Sequence, residues 1–335
     1  MQVAEPMGSD AWPEGLDRKR AAAAFKAYDI RGIAGDPLST AFARRLGRAL
    51  ATFLNCDSLA VARDIRESGP ELHAALVEGL IASGVTVQDL GIMPTGALYH
   101  ATHALDVDGG VVITASHNPP EYNGFKLCRG TAAMAGDQLQ ELRAVFEEGK
   151  FRDGEGEHLK VSNFQESYFD SIIESAGRPR RTIKLVVDAG NAVPGPFVKT
   201  ILKALGADAT CILCDWDNTF PIHPPDPTRP ANMALLGQMV VEHGAEFGIG
   251  MDGDGDRIGV VDEAGRFIHP DRLMAIFARD VLSNLPEDAD EDERVVYFDV
   301  KCSMALEEAI EAAGGVPRMV RTGHSFMKRE LRDNP

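Results

Sequence analysis

Residues 111–126, VVITASHNPPEYNGFK, decide which fold the sequence predicts. Val111 to Thr114 are all apolar or β-branched, which is typical of a strand that is buried on both faces of a sheet. Ser116 follows this run and opens the turn SHNPP, so it is predicted at the carboxyl end of the strand. Ligands of open α/β sheets bind at that edge. The stretch therefore predicts an α/β fold with Ser116 at a candidate functional site.

Helix and strand signals alternate along the rest of the chain. Phe42, Leu46, Leu50 and Phe53 keep the spacing of one helix face, and the LAVAR that follows predicts a strand. The predicted helices also cover about residues 70–83, 164–173, 194–205, 271–282 and 304–313, and the predicted strands cover 59–63, 85–90, 183–188, 209–213, 295–300 and 316–321. Polar segments divide these elements into three groups. We therefore expect three successive α/β units with doubly wound sheets.

A chain of 335 residues exceeds one ordinary core and should divide into several domains. We predict a loose lead-in at residues 1–24, a first domain at 25–162, a second at 163–266 and a partial third at 267–335. The third is shorter than the roughly 100 residues of a typical domain, and LRDNP comes just after a new helix signal. We therefore expect a fragment of a longer protein.

Charge and composition disfavour several classes of function. Lys and Arg number 34 against 51 Asp and Glu, and the formal net charge of -17 disfavours nucleic acid and anionic membranes as partners. No apolar run approaches the ~20 residues of a membrane span and no signal-peptide core is present, so we expect a cytoplasmic protein. The five cysteines are scattered along apolar segments, which fits a reducing compartment. Cys211 and Cys214 form a CxxC without a second ligand pair, so buried thiols are favoured over a zinc or redox site.

The second informative stretch is GIGMDGDGDRIGVVD, in which Asp252, Asp254 and Asp256 alternate with glycines. Carboxylates this close repel one another unless a cation neutralises them, and the glycines allow the backbone to bring them together. An oxygen-rich Mg²⁺ site explains the pattern. A calcium loop is an alternative, because Glu263 stands at position 12, but position 6 is Arg257 instead of glycine and the flanks predict strands. A solvated acidic turn is the other alternative.

A Mg²⁺ ion on three protein oxygens commonly completes its shell with water and phosphate oxygens, so the acidic turn also predicts a phosphate. Arg257 would supply a positive charge beside it or pair with one of the aspartates. GNAVPG at residues 190–195 lacks the Lys and Ser/Thr of a nucleotide-binding loop, and TASHN lacks the glycines of a nucleophile elbow. The remaining role for Ser116, which we expect to be exposed, is to carry a phosphoryl group itself.

Four motifs together resemble the α-D-phosphohexomutase family, and within it the bacterial phosphomannomutase/phosphoglucomutase branch. They are FKAYDIRG at residues 25–32, TASHNPPEYNGFK at 114–126, DGDGDR at 252–257 and RTGHS at 321–325, in the family's order. The resemblance implies successive doubly wound mixed-sheet domains of the phosphohexomutase type. It also implies a phosphoserine that gives its phosphoryl group to a hexose monophosphate. The hexose 1,6-bisphosphate so formed would reorient in the cleft and return its other phosphoryl group.

The resemblance assigns roles to individual residues. Ser116 would be the phosphoserine, and one of its oxygens would hold a single Mg²⁺ ion together with Asp252, Asp254 and Asp256. The other implied site residues are Arg31, His117, Lys126 and Arg257 for phosphoryl transfer, His324 for proton transfer, and Tyr28, Asn118 and Lys301 for substrate contact. Capping of a helix near Ser325 remains an alternative role for His324, as does packing for Tyr28. The expected partner is a phosphosugar, and the expected state is a monomer or weak dimer.

The sequence also departs from the family. Family members carry a GEMSGH-like loop that reads the sugar hydroxyls, and a fourth domain whose Arg- and Ser-rich loop binds the non-reacting phosphate. Neither occurs in these 335 residues, so we expect the third domain to be incomplete and the fourth to be absent. A non-catalytic phosphosugar- or metal-binding relic is therefore an alternative to a hexose mutase acting on mannose or glucose phosphates, as is a phosphoglucosamine mutase. The choice between mannose and glucose stays open.

Overall fold

The computed structural model describes residues 10–333 of the chain. The elements of the first unit are α1 Arg18–Ala24, β1 Ile30–Ile33, α2 Thr40–Leu54, β2 Ser58–Arg63, α3 Gly69–Ile81, β3 Thr86–Ile92, α4 Thr95–Ala104, β4 Gly109–Ile113, β5 Tyr122–Arg129, β6 Ala132–Ala133, α5 Asp137–Glu148 and β7 His158–Lys160. They build a seven-stranded sheet in the order β1-β5-β4-β2-β3-β7, with β6 beside β5. The β1–β5 and β5–β4 pairs are antiparallel, and the pairs from β4 to β7 are parallel.

Two smaller sheets follow. The elements of the second unit are α6 Phe164–Ala176, β8 Lys184–Asp188, α7 Pro194–Ala204, β9 Asp208–Ile212, a short 3-10 helix Pro230–Met233, α8 Ala234–His243, β10 Phe247–Met251, β11 Ile258–Asp262 and β12 Phe267–Ile268. Its five-stranded sheet has the order β12-β11-β10-β8-β9. The third unit contains α9 Pro270–Ser283, β13 Val295–Asp299, α10 Met304–Ala312, β14 Val316–Val320 and α11 His324–Asp333, with β13 and β14 parallel. Within residues 10–333, none of the helices is long and apolar enough to cross a bilayer.

The predicted α/β class with mixed sheets is confirmed, and β4 shows why its sequence lacks polar alternation. Val111 and Ile113 face an apolar cluster that contains residues of α2, α3 and α5, whereas Val112 faces a second cluster with residues of α4. All three side chains are fully buried. Burying one such side chain stabilises the fold by about 1.5–3 kcal/mol, so both faces of the strand have to be apolar.

An apolar seam joins the first and second units. The cluster around Val112 continues through Phe164 and Phe169 of α6 to Val193 and Phe197 at the start of α7. The rings of Phe169 and Phe197 meet edge to face, with centroids 5.8 Å apart. Packing of this kind holds the carboxyl ends of the two sheets next to each other.

The prediction of a loose lead-in at residues 1–24 is wrong for the described residues 10–24. Residues 18–24 form α1, in which Ala21 and Ala24 are buried in the core of the first unit. The indole ring of Trp12 packs edge to face on Phe146 at 5.7 Å, and the guanidinium of Arg45 lies 4.7 Å from the indole centroid. The sequence signal was weak because the anchoring residues, Trp12, Leu16 and the two alanines, are isolated apolar positions in an otherwise polar stretch.

We expect β14 to exchange its amide hydrogens faster than β4 of the first sheet. In the described part of the chain β14 pairs with β13 alone, and its side chains are half-buried or exposed, whereas β4 is paired on both sides and fully buried. Opening β14 therefore exposes less apolar surface and breaks one ladder instead of two. Hydrogen exchange read by mass spectrometry measures the difference. Equal protection of β4 and β14 would contradict the expectation.

Candidate active site

Ser116 lies just beyond the carboxyl end of β4, as predicted, but it is not exposed. Its side chain is fully buried and its backbone has the left-handed φ of 53°. Its hydroxyl donates a hydrogen bond to Oδ2 of Asp252 at 2.5 Å, and its amide donates to Oγ1 of Thr114 at 2.9 Å. The expectation of an exposed serine fails because a loop of the second unit covers the turn, and a single strand's sequence cannot show that contact.

The covering loop is the acidic turn at residues 252–257. It connects the antiparallel strands β10 and β11, whose register ends at the pair Met251–Ile258. Oδ1 of Asp252 accepts hydrogen bonds from the amides of Asp256 at 2.9 Å and Arg257 at 3.0 Å, and thereby closes the turn. The flanking elements are strands, as expected, whereas a helix-loop-helix calcium site would have a helix on each side of the turn.

Gly253 is the point of closest approach between the two loops. A Cβ atom at this position would lie 2.1 Å from the carbonyl oxygen of Ser116, which is far inside van der Waals contact. The glycine is therefore required because two backbones meet here. The contact places the acidic turn directly against the residue predicted to carry a phosphoryl group.

The three carboxylates of the turn converge on one point. Asp252, Asp254 and Asp256 each offer a carboxylate oxygen within 4.8 Å of the other two, and the first two side chains are fully buried. Burial, together with the neighbouring charges of Asp254 and Asp256, raises the pKa of Asp252 well above its usual value. The cluster therefore holds more negative charge than its surroundings stabilise without a cation.

Lys126 supplies part of the missing charge. It lies on β5 opposite Val112 of β4, and its Nζ contacts Oδ2 of Asp254 at 2.5 Å and Oδ2 of Asp256 at 2.6 Å. Burial alone would lower the pKa of Lys126, but the two carboxylates outweigh it and raise the pKa. Burial alone would raise the pKa of Asp254, but the charge of Lys126 and a hydrogen bond from Thr95 outweigh it and lower the pKa. Lys126 and Asp254 are therefore charged at neutral pH.

The donor set fits a hard divalent cation. Among residues 10–333, three carboxylates converge in this turn, and Oδ1 of Asp254 is buried without a hydrogen-bond partner. A buried carboxylate oxygen is costly when it is unpaired, so the arrangement favours a ligand at that oxygen. Clustered carboxylate oxygens are the ligands that Mg²⁺ prefers. Asp252, Asp254 and Asp256 could therefore hold a metal ion.

Two arginines contact the SHNPP turn, one through His117 and the other through Asn118. Arg257 donates from one terminal nitrogen to Nδ1 of His117 at 3.0 Å, and its Nε lies 3.8 Å from Oδ1 of Asp256. Burial and the charge of Arg257 lower the pKa of His117 to about 4, so its imidazole is neutral at neutral pH. Arg31 donates to Oδ1 of Asn118 at 3.0 Å and to Oδ2 of Asp29 at 2.6 Å. The SHNPP turn is thus flanked by fixed cations.

The remaining predicted site residues are Tyr28, Lys301 and His324. Tyr28 faces the RTGHS loop, since a Cβ at Gly323 would lie 3.4 Å from its ring. Lys301 is exposed beyond β13, and its Nζ is 3.8 Å from Oδ2 of Asp299. Helix α11 begins at His324, whose side chain lies outside the described part of the structure. No described contact joins Lys301 to Ser116.

Sequence reasoning missed three polar residues that hold the site together. Thr95 begins α4 and donates its hydroxyl to Oδ2 of Asp254 at 2.5 Å, while its amide donates to the Asp254 carbonyl at 2.9 Å. Asp64 and Arg66 follow β2 and pair with each other. All three stand just beyond the carboxyl ends of parallel strands: Asp64 and Arg66 follow β2, which pairs with β4, and Thr95 follows β3, which pairs with β2. That position was the available signal, but each residue is a single polar group in a common sequence context.

Comparisons with known proteins agree with this geometry. The family model described as phosphoglucomutase/phosphomannomutase, alpha/beta/alpha domain I, matches residues 22–153, and the models of domains II and III match residues 166–265 and 269–335. A solved phosphoglucomutase/phosphomannomutase family protein from Burkholderia thailandensis is 41% identical with a TM-score of 0.87, over 93% of this chain and 69% of that one. The chain belongs to the phosphoglucomutase/phosphomannomutase family.

Two curated relatives carry different names. The phosphomannomutase/phosphoglucomutase of Pseudomonas aeruginosa is 40% identical over 93% of this chain and 66% of its own length. The phosphoglucomutase of Neisseria meningitidis serogroup A is 40% identical over 92% of this chain and 66% of its own length. The chain thus spans just under two thirds of the length of these relatives.

We expect Gly253→Ala to separate the acidic turn from Ser116. The added methyl group collides with the Ser116 carbonyl, and overpacking of this kind costs about 1–3 kcal/mol. Thermal unfolding should show the loss of stability, and calorimetric titration should show weaker Mg²⁺ binding. Gly69→Ala is the control, because its Cβ would be 3.6 Å from the nearest atom. Similar behaviour of the two variants would contradict the close contact.

Replacement of Asp254 by Asn should weaken Mg²⁺ binding by at least about tenfold, because even outer-shell partners of metal sites contribute 10–100-fold to affinity. The matched control is Glu263→Gln, which removes an exposed carboxylate from the next turn, between β11 and β12. Titration calorimetry measures both. If Glu263→Gln were the damaging change, the calcium-loop alternative would be favoured over three converging aspartates.

Proposed function

We propose that this chain carries the phosphoryl-transfer site of a phosphohexomutase, which interconverts hexose 1-phosphate and hexose 6-phosphate through a phosphoserine at Ser116. The observation that carries the proposal is the 2.5 Å hydrogen bond between the Ser116 hydroxyl and Asp252. It joins the candidate nucleophile of one unit to the carboxylate cluster of the next. The names of the family and of the relatives support the same function.

The proposed cofactor is one Mg²⁺ ion per chain, held by Asp252, Asp254, Asp256 and an oxygen of the phosphoserine. When bound, it would neutralise negative charge on the phosphoryl group. Arg31, Lys126 and Arg257 provide further positive charge around the SHNPP turn, and catalysis of phosphoryl transfer relies on such positioning and electrostatic stabilisation. Nδ1 of His117 lies 3.2 Å from the Ser116 hydroxyl oxygen and accepts a hydrogen bond from Arg257, so His117 holds the Arg257 cation next to Ser116.

The transfer conserves atoms and charge in the following way. A hydroxyl oxygen of the hexose monophosphate forms a bond to phosphorus, and the bond from phosphorus to Ser116 Oγ breaks. The hydroxyl proton passes to a base, for which we propose His324, and Ser116 Oγ takes up a proton from solvent. The product is hexose 1,6-bisphosphate. After it reorients, the same steps in reverse return its other phosphoryl group to Ser116.

The sugar is proposed to be held by residues at the rim of the site. Asn118 is part of the SHNPP turn itself, and the other two proposed residues are Tyr28 of the first unit and Lys301 of the third unit. The substrates are proposed to be mannose phosphates, glucose phosphates or both, since the relatives are named for each. We also propose domains at residues 25–162, 163–266 and from 267 onward, a monomer or weak dimer in solution, and the cytoplasm as the site of action.

The covalent step is tested by incubating the chain with Mg²⁺ and glucose 1,6-bisphosphate. Intact mass should rise by about 80 Da, the mass of one phosphoryl group, and peptide mapping should place it on Ser116. Ser116→Ala should remain unmodified while keeping its fold, and the control Ser175→Ala, which alters an exposed serine, should be modified like the parent. A phosphoryl group on another residue would overturn the assignment.

A further inference from the structure

Arg66 is the largest fully buried side chain of the described residues, and it lies beneath the loop that carries Ser116. One terminal nitrogen donates to the carbonyl oxygens of Pro119 at 2.6 Å and Tyr122 at 3.0 Å. The other donates to the carbonyl oxygens of Ser116 at 2.8 Å and Asn118 at 2.7 Å. A single side chain therefore binds four backbone carbonyls of residues 116–122.

Asp64 uses the remaining donor of this guanidinium. Nε of Arg66 donates to Oδ2 of Asp64 at 3.1 Å, so all five N–H groups of the arginine have acceptors. Oδ1 of Asp64 accepts the amide of Arg66 at 3.0 Å, which fixes the carboxylate itself. Both side chains are almost completely buried. The pair is thus a rigid element on which the loop is built.

The pair also controls the amide side of Ser116 through Thr114. Burial raises the pKa of Asp64, and the Thr114 hydroxyl lies close enough to the Asp64 carboxylate to help lower it. The hydroxyl oxygen of Thr114 accepts the Ser116 amide at 2.9 Å. The carbonyl of Ser116 is therefore held by Arg66, and its amide is held by Thr114 next to Asp64. Ser116 has a φ of 53°, which costs a non-glycine residue free energy unless its surroundings hold it there.

The second unit covers the same contact. The ring of Phe220 lies 5.6 Å from the guanidinium carbon of Arg66, and Gly253 packs against the Ser116 carbonyl to which Arg66 donates. Water is therefore kept away from the arginine on the side of the acidic turn. The position of Ser116 relative to that turn depends on hydrogen bonds that solvent does not replace.

We propose that Arg66, together with Asp64 and Thr114, is a positioning residue that fixes Ser116 in line for phosphoryl transfer. The catalytic part of this inference rests on the proposed function. Arg66 does not touch the reacting atoms, because its donors are all directed to Asp64 and to backbone carbonyls. It acts by holding Ser116 Oγ where both the acidic turn and the incoming phosphoryl group reach it.

The informative substitution is Arg66→Lys. An ammonium group keeps the positive charge opposite Asp64 but has three donors and no planar fork, so it cannot serve four carbonyls. The matched control is Arg45→Lys. Arg45 is also a buried arginine of the first unit that donates to carbonyl oxygens, at 2.7 Å to Phe146 and 3.2 Å to Ala11, but it binds no residue of the Ser116 loop.

Two measurements on parent, Arg66→Lys and Arg45→Lys separate positioning from general stability. The first is the single-turnover rate constant for phosphorylation of Ser116 by glucose 1,6-bisphosphate, measured over a range of ligand concentrations with Mg²⁺. Arg66→Lys should lower the limiting rate by about 100-fold, the effect of a misplacement near 1 Å, with a much smaller change in the half-saturating concentration. The second is amide hydrogen exchange of residues 114–122, which should be faster in Arg66→Lys alone.

The outcomes are distinct. Normal exchange and a normal limiting rate in Arg66→Lys, or equal losses in Arg45→Lys, would overturn the positioning role. If the parent takes up no phosphoryl group at Ser116, the proposed function fails, and the exchange measurement still decides whether Arg66 holds the loop. If Arg66→Lys does not fold, the near-isosteric Thr114→Val replaces it. Faster exchange at the Ser116 amide with a slower rate supports the proposal, and no change in either contradicts it.

Discussion

The rest of this structure depends on how the buried negative charge of the acidic turn is stabilised. Asp252 and Asp254 are fully buried, and with Asp256 they bring three carboxylate oxygens within 4.8 Å of one another. In a medium of low dielectric such a cluster is unstable without compensating charge and hydrogen bonds. Lys126 and the hydroxyls of Thr95 and Ser116 supply part of this stabilisation. The donors come from the first unit and the carboxylates from the second.

Sheet register explains how the first unit delivers these groups to one place. Lys126 on β5 lies opposite Val112 on β4, one residue before the end of that strand at Ile113. On the other side of β5, Arg31 lies opposite Gly124. Arg66 then ties the turn to the end of β2 through its four carbonyl contacts. Four neighbouring strands, β1, β5, β4 and β2, therefore present the nucleophile and its surrounding cations together.

The sequence predicted those parts of the site that consist of a short run of consecutive residues. DGDGDR predicts a cation site, and the apolar run before Ser116 predicts the end of a strand. The buried state of Ser116 and the roles of Thr95 and Arg66 could not be predicted in the same way. Each depends on a contact between segments far apart in the chain, such as Thr95 with Asp254. Likewise, Trp12 shows its role only once Phe146 is placed beside it.

The central claim is that the phosphoserine and the divalent cation occupy one site built by two units. The most direct test is ³¹P NMR of the Ser116-phosphorylated chain, with Mn²⁺ added in place of Mg²⁺. A paramagnetic ion bound by Asp252, Asp254 and Asp256 should broaden the phosphoserine resonance beyond detection at about one ion per chain, and Asp254→Asn should shift that effect to higher Mn²⁺ concentration. A phosphoserine resonance that stays sharp while Mn²⁺ is bound would contradict the shared site.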